Sequence, residues 1–356
     1  MTASERSNTS PSGPALLVGL VWLLMAGIAV WFLWPVTKSY ALPKGWVYIA
    51  PEIAVQDIFL DGQNVYIAGY GGLVRTDTSG KIAIPIKGIS NAPMLRAIEK
   101  DNAGQIWVGH GNGVSLVTDD QITAATIAHN NKAGAVRTLL LDAGGQLWGG
   151  GEDGLFKINT ITKTQTIVPL PVFKAEVTKL LTDTKGGLWV GSLRHGIMHL
   201  QAGKWVKWSV EDGLLHPQIT SFKLDRNGDV WSGMGFYNKG GAVRFSPDQG
   251  GSAAGWQISQ SLSENDFAGA KVRAILNDSE GRLWFGHEYD GITVRKNGKV
   301  LRFISTDDGL PGSEVTVIRQ DASGGIWLGT LKGAVYLAPA VVGKLFSEHA
   351  GDQNDA

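Results

Sequence analysis

One short phrase recurs seven times along this 356-residue chain: an aspartate-glycine turn, an aromatic residue, then glycine two places later (three in the first copy). The copies begin at Asp61, Asp101, Asp142, Asp183, Asp225, Asp278 and Asp321. Their aromatic anchors are Tyr66, Trp107, Trp148, Trp189, Trp231, Trp284 and Trp327, spaced 41, 41, 41, 42, 53 and 43 residues apart. Within each period the residues read as short strands. In the last copy β-branched residues run from Val315 to Ile318, Asp321 and Gly324 bracket a type I turn, and a second run carries Trp327.

A fixed period of about 40 to 45 residues built from short strands is the signature of propeller blades. The expected fold is therefore all-β: a seven-bladed β-propeller of four-stranded antiparallel blades over residues 44–340, preceded by one N-terminal transmembrane helix. The last repeat lacks an outer strand, while residues 45–49 supply a spare one, so these are expected to pair with 334–337 and close the ring. The recurring Trp residues are read as core. Each removes about 200 Å² from water, at most ~5 kcal/mol per blade.

Residues 15–36 carry no charge and are long enough to span a bilayer. They are expected to anchor the chain, with 1–14 a short cytoplasmic tail and 37–43 a linker. The propeller is then placed outside the cytoplasm, in the periplasm of a single-pass inner-membrane protein. Residues 341–356 turn polar and are expected to fray. The chain has no cysteine, a formal net charge of +0 and a pI of about 7.1, which removes the electrostatic case for nucleic acid.

The pattern V-[RT]-x-[IL]-x-x-D-x-x-G-x-[IL]-W-x-G is carried by 136–154, 272–291 and 315–333, and the Asp-Gly-Leu turn ahead of a blade falls at Asp212 and Asp308. On these residues the chain resembles the two-component-regulator propeller family. The resemblance implies a periplasmic ligand-sensing module of a sensor kinase. No kinase, cyclase or DNA-binding pattern accompanies it here. The expected role is thus a non-catalytic recognition or sensor module for a membrane or periplasmic protein or peptide partner. A small-ligand sensor is the alternative, and a lyase-like enzyme a further one.

Binding residues are expected on the loops after each W-x-G: Tyr70, His110, Arg194, His195, Tyr237, Asn238, Lys239, His287, Glu288 and Tyr289. The fifth loop, 234–241, is about five residues longer than its siblings. Equivalent inner-strand positions hold Gln56, Arg96, Arg137, Thr178, Thr220, Arg273 and Thr316. Arg96, Arg137 and Arg273 around a channel mouth suit a carboxylate or phosphate, or plain structural hydrogen bonding.

No cofactor and no metal is implied. His195 and His199 lack a third zinc ligand, and Asp225-x-Asn227-x-Asp229 lacks the distal Glu of a calcium loop. A G-x-G-x-x-G match at Gly149 is followed by no helix. In a lyase-like reading His110, His287 and Glu288 would be the acid–base groups.

Overall fold

The computed structural model describes residues 43–88, 94–123, 134–248, 250 and 255–347. Residues Leu42–Ala356 form one compact unit. The fold is an all-β propeller whose innermost strands stand in chain order around a central channel: Ala54–Asp61, Ala97–Lys100, Val136–Leu141, Val177–Thr182, Ile219–Leu224, Val272–Asn277 and Val315–Gln320. The last packs back against the first.

The expectation of seven separate four-stranded blades requires correction. Five sheets of four strands stand alone, and the first two repeats run together into a single eight-stranded sheet. The join is a parallel pairing of Ala83–Gly88 with Gln121–Ile122, through Lys87↔Gln121 and Gly88↔Ile122. The second repeat's outer strand is only two residues long, and it pairs on one side with its own blade and on the other with the first repeat. The expected transmembrane helix at 15–36, with 1–14 and 37–42, lies outside the described residues. Among those described, no helix is long and apolar enough to cross a membrane.

The expected closing pair forms. Trp46–Ile49 pairs antiparallel with Gly333–Leu337, from Trp46↔Leu337 to Ile49↔Ala334. Residues Pro339–Ser347 differ from the expected fraying. They form a helix that buries Val342, sets Phe346 edge-on to Trp284 at 5.7 Å and slides that ring under Arg282 at 4.4 Å.

All six repeat Trp side chains are buried between sheets, and five are locked by the Asp that starts their own turn. The indole N–H donates to Asp101, Asp142, Asp183, Asp278 and Asp321 at 2.9, 2.7, 2.9, 2.8 and 3.1 Å. The other carboxylate oxygen accepts backbone N–H groups of the turn, as Asp183 does from Lys185 and Gly187. One aspartate thus satisfies a turn and a buried indole together, which explains its recurrence six residues before Trp. The fifth repeat breaks the rule. Arg244 pairs with Asp225 at 3.2 Å and with Asp229 at 2.5 Å, and the Trp231 indole N–H has no partner among the described residues.

Candidate functional site

The channel mouth is built by β-bulges. In six inner strands the register skips one residue, and the skipped residue is the candidate: Gln56, Arg137, Thr178, Thr220, Arg273 or Thr316. A bulge leaves its extra residue out of the ladder and re-aims the side chain. Arg96 reaches the same place from the residue before its strand, its amide donating to Gly109 at 2.8 Å. All seven line one cavity of about 370 Å³, together with Tyr70, Lys179 and Lys271. Below it the channel continues as a space of about 410 Å³ past Asp57, Glu99, Lys179, Lys223 and Arg319.

Most of these mouth residues stitch one repeat to the next. The Thr178 hydroxyl donates to the Ile219 carbonyl at 2.7 Å, Thr220 to that of Val272, and Thr316 to that of Val55 at 2.7 Å. The arginines do the same job with charge. Arg137 pairs with Glu176, the residue just before the next inner strand, and lies 3.9 Å from Glu152 of its own repeat. Arg273 repeats this with Glu314 and, at 3.2 Å, Glu288. Burial pushes the Glu314 carboxyl up against the pull of Arg273.

The long fifth loop is not a loop. Strands Val230–Phe236 and Lys239–Pro247 extend into it as a hairpin, leaving Tyr237 and Asn238 as its turn. Gly235 and Gly240 pair across the hairpin, and a Cβ on either would meet backbone of the other arm at about 2.5 Å. Those glycines let the arms close and hold the tip out. Phe236, Tyr237 and Tyr289 are more than half exposed there. Tyr237, Asn238, Glu288 and Tyr289 line a cavity of about 770 Å³ that shares Lys271 with the channel mouth. Lys271 anchors the floor through Glu288 at 2.7 Å.

The expected residues therefore divide. Tyr70, Arg96, Arg137 and Arg273 meet at the mouth, and Tyr237, Asn238, Glu288 and Tyr289 at the rim. Arg194, His195 and Lys239 line neither cavity, Arg194 and Lys239 being exposed and His195 half-buried. His110 and His287 are sealed in the sheets at 1% and 0% exposure, bonded to Ser115 and Thr293 hydroxyls at 2.9 Å. Desolvation pushes the His287 imidazole down to about 4 and lowers His110. Glu288, held by Lys271 and Arg273, does not meet them as an acid–base trio. His199 is buried against Asp183 at 2.9 Å, away from His195.

Lys179, Lys223 and Glu99 were missed by sequence reasoning. All three are charges on inner strands where a strand pattern leads one to expect core. Burial lowers the Lys223 ammonium to about 8 and raises the Glu99 carboxyl to about 7. The available signal was positional: the residue after the mouth position is Ala97, Thr138, Ser221, Ala274 or Val317 in five repeats, but Asp57 and Lys179 in two.

The fold and its repeat define a class, the β-propellers. The two-component regulator propeller family in particular matches residues 266–289 and 309–332 of this chain. No curated protein sequence matches it. Among solved structures, one similar fold is the extracellular domain described as that of a hybrid two-component system from B. thetaiotaomicron. It is 18% identical over 84% of this chain and 42% of that one, with a TM-score of 0.68. Virginiamycin B lyase from Staphylococcus aureus is 13% identical over 82% of this chain and 97% of that one, TM-score 0.65. PorZ of the type-IX secretion system of Porphyromonas gingivalis is 16% identical over 80% and 46%, TM-score 0.60. At such identities the likeness is one of fold. The chain spans less than half the length of the two-component structure and of PorZ.

Proposed function

We propose that this chain is a non-catalytic recognition propeller working outside the cytoplasm, tethered by residues 15–36, that binds a protein or peptide partner at its rim. The observation that carries this reading is the rigid hairpin with Phe236 and Tyr237 at its tip, facing Tyr289 across a cavity of about 770 Å³. Exposed aromatics held at low conformational cost are what interface hot spots are made of. The two-component regulator propeller repeats and the likeness to an extracellular sensor fold support a sensing role.

A photo-cross-linking residue at Tyr237 in the membrane-embedded full chain tests the proposal. One dominant adduct is expected, absent when the same residue replaces Lys204 on an outer strand and lost on adding Tyr289→Ala. Identical adducts from both positions would reject the rim as the binding face.

A further inference from the structure

The arginines at the channel mouth are not equivalent, and the repeat itself shows why. Arg137 and Arg273 each use two carboxylates: one just before the next inner strand (Glu176, Glu314) and one two residues after the W-x-G of their own repeat (Glu152, Glu288). For Arg96 the first position is Ala135 and the second is Gly111. Among the described residues Arg96 has no ion pair. Its contacts are the Met94 sulfur at 3.7 Å and the Tyr70 ring, 5.8 Å from the guanidinium carbon, and its Nε is buried without a hydrogen bond. An arginine fork whose only side-chain bond goes to a weak sulfur acceptor is poised for a planar oxyanion.

Lys179 lines the same cavity. Asp57, which occupies the equivalent place in the first repeat, is consumed by Arg319 at 2.9 Å and the amides of Ile58 and Ile98. The Lys179 ammonium makes no hydrogen bond or ion pair among the described residues. Burial, helped by the positive charges of Arg319 and Arg273 and opposed only by Asp57, pushes its ammonium below the ordinary lysine range. An unmatched cation in such a place is destabilising unless something brings it a counter-charge.

We infer that the channel mouth holds a binding site for a small anion presenting a carboxylate or phosphate group, whose charge is taken by Arg96 and Lys179. The cavity of about 370 Å³ has the volume of a small-ligand site. Arg137 and Arg273, already neutralised, act there as frame. The site stands apart from the rim reading and can fail without it.

Calorimetric titration of the full chain in detergent, with sodium phosphate and separately sodium succinate at an ionic strength fixed with sodium chloride, tests the inference. Saturable one-to-one binding of at least one probe is expected, and which one binds distinguishes the two chemistries. Arg96→Gln and Lys179→Met should each weaken it tenfold or more. Ala135→Glu, which restores the missing carboxylate in the register of Glu176, should weaken it as much while leaving Arg96 in place. Melting temperatures check folding. Lys179→Met should melt no lower than the natural chain, and Ala135→Glu decides if Arg96→Gln fails to fold. No saturable binding of either probe, or a Kd within threefold of the natural chain in either folded variant of the pair, overturns the site.

Discussion

The turn before each Trp and the position that opens each inner strand, a bulge in all but one, recur at the same period, yet they differ in how strictly the repeats agree. At the turn, all but one Trp-bearing repeat make the same bond between aspartate and indole. At the opening position the residue changes from repeat to repeat, and so does its partner: a carbonyl for Thr178, two glutamates for Arg137, no carboxylate for Arg96. Uniformity marks what every blade needs in order to fold. Divergence around a shared cavity marks where this ring can differ chemically from a generic one.

The comparison is broken most directly by removing a turn aspartate. Asp183 accepts from Trp189, His199 and two backbone amides, so Asp183→Ala strips a buried network and should cost about 3–5 kcal/mol in urea unfolding. Asp225, which has no indole bond and sits against Arg244, should cost only about 1–2 kcal/mol. Equal losses would remove the distinction between locked and unlocked repeats. Burial alone would raise the Asp183 carboxyl, but the bonds from His199, Trp189 and the turn amides outweigh it and hold it below the usual value. Its contribution is therefore present above the unfolded aspartate pKa and lost as pH falls through the folded one.

Glu99 should show the opposite sign. Its carboxyl rises to about 7, chiefly through burial, so its contribution is complete below the ordinary value of 4.5 and disappears as pH rises through 7. Glu99→Gln should flatten the fall in melting temperature between pH 5 and pH 8 and melt a few degrees higher at pH 8. An unchanged pH profile would mean that the channel solvates this carboxylate. Thr220→Val removes one inter-repeat hydrogen bond and should cost about 1 kcal/mol, measured the same way. Smallest is Tyr237→Ala on the exposed hairpin tip, expected within ~0.5 kcal/mol of the natural chain even if the proposed capture at the rim is lost.

The period, the buried Trp positions and the closing strand were legible because each rests on local pattern: spacing, bulk, and one strand too few at one end matched by one too many at the other. The eight-stranded sheet was not legible. It rests on two residue pairs between the outer strands of adjacent repeats, a long-range contact that no periodicity encodes. The site was half legible. Repeat alignment brought Gln56, Arg96 and their equivalents to one place, but not that Arg137 and Arg273 spend their charge on glutamates from the next repeat. His110 and His287 were misjudged as loop residues because the strand after W-x-G runs on for one more position and takes the imidazole inside. Lys179 hid in plain view, as a charge in an inner strand at a place that most repeats give to small or uncharged residues.

The closing pair also fixes an order of events in folding. Trp46–Ile49 and Gly333–Leu337 lie about 290 residues apart in sequence, the longest-range strand pairing among the described residues. Joining the ends of a loop that long costs on the order of 5 kcal/mol if the intervening chain is slack. It costs far less once the inner strands have assembled and brought the two ends together. The last sheet is thus expected to form late, as a latch thrown after the ring is nearly built. Four residue pairs then stand between a closed propeller and one that can be pulled open from the segment preceding Trp46.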